Sequence, residues 1–342
     1  MPVQSFIPQI LECNSLSIVG LEKNTGKTEC LNYILKRLPL QKMKVAVTSI
    51  GIDGETVDQV TKTAKPEITI GEGVYFSTAH SFYKSKKLWS ELVDISDERS
   101  SLGEIVTAKA LCEGKVLLAG PSSAASLRRW MERMDRFNVD LKIIDGALSR
   151  LSLASPAVSQ AMVLATGAAY SINMQTLVQR TKFIVDLVNL DLVEKRALDM
   201  LFDIETGLWG IDEQWNLHCI NSVSSINIDE NDMKILEGCR YIYVSGALTD
   251  RLLNVIKDSK GIVGKTLVVR DFTKFFVNAQ TFAIMLRKGV EVKVLQKSRL
   301  IAVCVNPVSP AGYVLDSDIL CEKIQEAIGF PVYDIVKNAD AV

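Results

Sequence analysis

At 342 residues the chain exceeds the usual length of a single hydrophobic core, roughly 100 to 200 residues, and its 39 basic and 40 acidic side chains leave a net charge of -1. That balance excludes the strongly basic surface by which nucleic acids and anionic membranes are held. Seven scattered cysteines with no Cys-x-x-Cys pair, and only two histidines, His80 and His218, exclude a zinc ribbon, a dithiol motif and a histidine-rich metal centre.

In chain order, residues 16–20 read as a buried strand and 29–38 as a helix with Leu31, Ile34, Leu35 and Leu38 on one side. Further strands are predicted at 44–49, 116–119, 141–144 and 162–165, each closing on small or polar residues, followed by a helix over 171–189. Apolar runs alternating with helical patterns predict an α/β domain of the P-loop NTPase type. It has a parallel sheet with helices on both faces, and ligands bind at the carboxyl ends of its strands. Past about residue 198 the character changes. GLWGIDEQWNLHCI predicts a short hairpin, and apolar runs at 241–244, 266–269, 292–295 and 300–305 predict a C-terminal α/β domain. The expected division is therefore 1–198 for nucleotide binding and 199–342 for a C-terminal α/β domain with a partner-binding role. No signal peptide starts the chain and no run reaches about 18 apolar residues, so a cytoplasmic protein without a membrane partner is expected.

The segment SIVGLEKNTGKTEC places Gly20, five intervening residues, then Gly26, Lys27 and Thr28 between a predicted strand and a predicted helix. That context is what a phosphate-binding loop requires. Backbone N–H groups of the turn and of the helix start converge where phosphate oxygens are favoured. Lys27 can bridge terminal phosphates, and the Thr28 hydroxyl can ligand magnesium. The expected nucleotide contacts are Gly20, Lys23, Asn24, Thr25, Gly26, Lys27, Thr28 and Glu29, with ATP and Mg2+ as ligands. Lys23 reads either as a second cation for phosphate or as an exposed loop lysine.

At the next strand's end, TSIGIDGE carries Thr48, Asp53 and Glu55, positions for a magnesium-water shell or an attacking group, or simply for a turn. Asp53 is the preferred candidate there. KIIDGALSR puts Asp145 directly after an apolar strand, where a Walker-B-type carboxylate reaches the metal. Lys27, Asp53 and Asp145 are thus the expected catalytic set, and Thr28, Asp53 and Asp145 the expected metal set. Arg150 nearby could contact phosphate or cap the next segment. LAGPSSAASLRRW offers Gly120, Ser122 and Ser123 as a second anion-friendly turn or an ordinary capped helix. The ATG at 165–167 is a weaker candidate for the nucleotide base. The chain lacks the Asn-Lys-x-Asp strand end of guanine-specific switches, which favours ATP, and lacks a Gly-x-Ser-x-Gly elbow for covalent hydrolysis.

The five-residue gap between Gly20 and Gly26 resembles the loop of dethiobiotin synthetases and their relatives. Taken together, VGLEKNTGKTECLNYIL, VTSIGIDGETVDQVT, LAGPSSAAS and IIDGALSRLSLASP resemble the small P-loop subunit of the lysine 5,6-aminomutase reactivase. The resemblance runs through most of the N-terminal half. It implies an accessory ATPase that works with a MutS-related ATPase subunit to restore an adenosylcobalamin-dependent aminomutase after its cofactor is damaged. The chain has no Asp-x-His-x-x-Gly pattern for ligating cobalt itself. Two rival readings remain open at this stage: an ATP-dependent ligase that phosphorylates a carboxylate, and a nucleotide-dependent binding module without appreciable hydrolysis. Homo-oligomerisation is compatible with the sequence.

Overall fold

In a computed structural model the chain divides into two units, one formed by Met1–Thr181 with Arg299–Val342 and the other by Lys182–Ser298. The structure describes residues 5–49, 67–100, 102–147, 155, 158–221, 230–258 and 261–337.

After a four-residue helical turn at Ile7–Ile10, the first unit runs through β1 (Ser15–Gly20), α1 (Lys27–Arg37), β2 (Val45–Ser49), β3 (Tyr75–Ala79), β4 (Ser90–Ser100) and β5 (Gly103–Ala110). It continues through α2 (Ala124–Arg136), β6 (Leu141–Ala147), β7 (Ala161–Gly167) and α3 (Met174–Val188). These strands, joined by two later ones described below, form a nine-stranded sheet. β1 lies inside it between β7 and β6, and β2, β3, β5 and β4 follow outward on the β6 side. Pairing is parallel except at that edge, where β5 runs antiparallel to both β3 and β4.

Side chains alternate between the two faces of the strands, and each face meets its own helix. Leu16 and Ile18 of β1, Val45 and Val47 of β2, and Leu141 and Ile143 of β6 share one apolar cluster with Cys30, Leu31, Ile34 and Leu35 of α1. The intervening Ala46 and Ile144 pack on the other side with Leu127, Trp130 and Met134 of α2. Helices therefore cover both faces, and β1, between two parallel neighbours, is buried along all six residues. Among the described residues, no helix is long and apolar enough to cross a membrane.

The strand expected at 116–119 takes another course. Gly114–Val116 pairs antiparallel with Ile68–Ile70 in a separate ladder. Residues 117–120 then pass the ends of β2 and β3 on side-chain bonds. The Thr78 hydroxyl donates to the Leu117 carbonyl at 2.7 Å, and the Ser49 hydroxyl to that of Leu118 at 2.8 Å. Hydroxyls supply the partners that a strand ladder would otherwise provide.

The second unit holds α4 (Lys195–Leu201), β8 (Leu208–Asp212), β9 (Leu217–Asn221), α5 (Glu230–Gly238), β10 (Cys239–Val244), α6 (Asp250–Asp258), β11 (Thr266–Val269), α7 (Ala279–Arg287) and β12 (Glu291–Val294). Its five-stranded sheet runs β9, β8, β10, β11, β12: the expected hairpin at one edge, then parallel strands. Ala197 and Leu201 of α4 pack on Ile211, Tyr241, Tyr243 and Val268. The buried Lys265 ammonium donates to the carbonyls of Leu236 and Glu237 at the end of α5, at 3.1 and 2.7 Å. A cation is favoured at a helix C-terminus, where unpaired carbonyls collect.

The chain then returns to the first sheet. β13 (Arg299–Asn306) pairs parallel with β7, and after α8 (Ser317–Ile328) β14 (Val332–Asp334) pairs parallel with β13. This corrects the expected boundary. The apolar run near 300–305 belongs not to a domain spanning 199–342 but to the sheet that β1 begins, because its backbone partners lie on β7.

Candidate functional site

The turn after β1 is built around its glycines. Leu21 N–H donates to the Ala165 carbonyl at 2.9 Å, carrying the β1–β7 pairing one bond past the strand end. Asn24 (φ 60°) and Gly26 (φ 89°) then take left-handed conformations that reverse the chain into α1. The fully buried Thr25 donates its hydroxyl to the Glu22 carbonyl at 2.9 Å, and Lys27 Nζ reaches the same oxygen at 3.3 Å. A Cβ on Gly20 would lie 2.6 Å from Thr25 Oγ1 and 2.7 Å from the Lys27 stem, so the lysine side chain crosses where only glycine leaves room. The glycine one place earlier than in the usual spacing thus serves as the floor beneath Lys27. Thr28 is half-buried at the start of α1, while Lys23 and Glu29 are exposed.

Asp145 stands at the same end of the sheet. β6 is parallel to both β1 and β2, and Asp145 is in register with Ile18 on one side and Ser49 on the other. The side chain is half-buried as a whole, but its Oδ1 is fully enclosed and accepts no hydrogen bond. Burial pushes the carboxyl up to about 6, although the charge on Lys27 opposes the shift. The Lys27 ammonium is in turn held below its ordinary value by burial, against the attraction of Asp145 and then Glu22. A desolvated cation and a desolvated carboxylate therefore act on each other, and one carboxylate oxygen has no hydrogen-bond partner among the described residues. Such an arrangement can take an anion on the lysine side and a cation on the aspartate side.

The other expected residues separate. Thr48 is fully buried and its hydroxyl donates to the Ser77 carbonyl at 3.1 Å, a bond internal to the sheet. Asp53, Glu55 and Arg150 lie outside the described residues. Gly120 donates its N–H to the Ser49 carbonyl at 2.9 Å. Ser123 caps α2, its Oγ accepting from Ser126 N–H at 3.1 Å, while Ser122 is exposed. The capped-helix alternative thus accounts for this turn. Replacing Ser123 with Ala is expected to lower stability by about 1 kcal/mol, the usual worth of such a cap, as read from urea unfolding. Of residues 165–167, Ala165 holds the entrance of the loop, and Gly167 is crowded by the Asn306 carbonyl, 2.0 Å from where a Cβ would stand.

Asn306 escaped the sequence reading. It closes β13 beside Gly167, and its Cβ lies 2.9 Å from where a Gly26 Cβ would be. Its Oδ1 accepts from Val308 N–H at 3.0 Å, which leaves the amide NH2 beside the start of α1. An Asn-Pro ending an apolar strand was the available signal, hidden once that strand was assigned to another domain. The chain matches no family model, no curated protein and no solved structure.

Proposed function

We propose that this chain binds a nucleoside triphosphate with magnesium at the Gly20–Thr28 turn, as a P-loop protein. One observation carries the reading. Asp145, with an enclosed and unpaired Oδ1, stands at the carboxyl end of the strand beside the turn and is electrostatically coupled to Lys27. The unpaired oxygen and the glycine cradle fit the pair of ligands. Thr28 and Asp145 would hold the metal, while Lys27 and the N–H groups of the α1 start would hold phosphate oxygens. Bound magnesium would supply neutralising charge to the phosphates. Asn306, aimed past Gly26, is a further candidate contact. Calorimetric titration with MgATP, with and without the metal, tests this directly. Binding that is absent, or indifferent to magnesium, refutes it.

The narrower reading is an ATP-dependent accessory protein that reactivates an adenosylcobalamin-dependent aminomutase of the lysine 5,6-aminomutase type, together with a MutS-related partner subunit. Its support is the run of motifs from the loop through LAGPSSAAS to IIDGALSR, which resembles the reactivase subunit. In that role, nucleotide state would bias two arrangements of the protein, of which one binds the inactive mutase. Recovery of an inactivated mutase on addition of this chain, its partner and ATP tests the reading. ATP binding without recovery removes the aminomutase role and leaves the nucleotide site.

A further inference from the structure

The turn after β7 stands at the mouth of the glycine loop. Gly20 is in parallel register with Ala165, and the chain reverses at once, Tyr170 N–H donating to the Gly167 carbonyl at 2.8 Å. α3 then starts on an Asn173 cap, whose Oδ1 accepts from Thr176 N–H at 2.9 Å. The fully buried Thr181 shares a 3.0 Å hydrogen bond with Thr166. That bond sets the second turn of α3 level with the carboxyl end of β7, and contact with Tyr170 places the Arg180 guanidinium beside the turn that follows β7. The exposed Arg180 side chain is not loose: its guanidinium carbon lies 5.3 Å from the centre of the Tyr170 ring, within cation–π range. No carboxylate among the described residues forms an ion pair with it. Tyr170 in turn lies within electrostatic reach of both Arg180 and Glu22 of the loop.

Charge gives this placement a use. Around the loop, Lys23 and Lys27 are offset in number by Glu22 and Asp145, so a triphosphate with one bound magnesium would still carry uncompensated negative charge. We propose that Arg180, held against Tyr170, is a second cationic contact for the terminal phosphate of a nucleoside triphosphate bound at the loop. The proposal rests on the P-loop reading above. A planar guanidinium suits phosphate oxygens, and its gain is largest for the group that carries most charge in phosphoryl transfer. As Arg180 lies on the β7 side of the loop and Asp145 on the β6 side, the phosphates would be flanked from both neighbours of β1.

Equilibrium binding of a non-hydrolysable ATP analogue and of ADP, each with magnesium, separates the outcomes on the full chain and its R180A, R180K and K27A variants. R180A is expected to weaken the triphosphate analogue about tenfold and ADP by less than about twofold, with R180K recovering part of the loss. K27A is expected to weaken both. If K27A does so while R180A leaves the analogue unchanged, or weakens both nucleotides alike, Arg180 has no terminal-phosphate role and the loop assignment stands. If K27A alters neither nucleotide, the loop assignment falls and the Arg180 proposal with it.

Discussion

Replacing Lys27 with Ala is expected to reduce MgATP affinity by roughly 30- to 150-fold, the worth of about 2 to 3 kcal/mol for a charge-assisted bond to phosphate. The argument begins from the side chain's surroundings. Its ammonium is partly stripped of water and, among the described residues, donates to the Glu22 carbonyl alone, at 3.3 Å. A triphosphate would return to that cation what burial has taken away. Folding should survive the substitution, because the lysine is half-buried at the edge of a turn and contributes no apolar packing to the clusters beneath it. Circular dichroism and urea unfolding should therefore be near those of the parent while titration calorimetry shows the loss. Unchanged affinity in a folded variant would remove the nucleotide site from Lys27.

Asp145 yields the second large effect, and its sign is opposite to that of most carboxylates. In the unfolded chain an aspartate ionises at about 3.9, whereas in the folded protein Asp145 does so only at about 6. Between those values the native state holds the extra proton. Its stability therefore falls as pH rises from about 4 to 6 and stays lowered above that range. The ionised carboxylate should cost up to about 3 kcal/mol at neutral pH when no metal is bound. Asp145→Asn is thus expected to be more stable than the parent at pH 7.5 in the presence of a chelator and to lose that advantage near pH 4. It should also lose the magnesium-dependent part of nucleotide affinity. A parent-to-variant difference that does not change with pH would contradict the enclosure of the Asp145 carboxyl. Stability gained by deleting a strained polar group and lost function are the paired signs of a binding residue.

How far the sequence foretold this site depends on what each residue answers to. The strands at β1, β2, β6 and β7 are legible because both faces of a parallel sheet are buried, so their apolar character is continuous rather than alternating. The loop was legible for a different reason: glycine at 20 and 26 and lysine at 27 each answer a local demand, for room, for positive φ and for charge. Asp145 was expected directly after a strand ending at 144, whereas the strand continues to Ala147 and Asp145 lies within its last residues. The antiparallel edge was not legible. β4 reads SELVDISDERS, where exposed Leu92 and Ile95 stand among acids on an outer strand and no apolar run forms. For Thr48 the sequence left a site and a turn both open, because a hydroxyl at a strand end looks alike whether it faces a ligand or, as here, the carbonyl of Ser77. The boundary after residue 198 failed since nothing local distinguishes β13 from β10 or β11. Both kinds are short apolar strands, and only their distant partners assign them to a sheet.

The return of β13 also sets an order of assembly. β7 pairs with β1 on one side, and its other side receives β13 only after the 117 residues of Lys182–Ser298 have intervened. A chain emerging from its N-terminus can lay β1, β2, β6 and β7 together while β7 still presents an unpaired edge. Such edges invite misassociation until covered. The strand that covers it ends in Asn306, which packs on Gly26 at the start of α1. The wall of the glycine loop is therefore completed when β13 pairs with β7, before β14 adds the outer strand on that side.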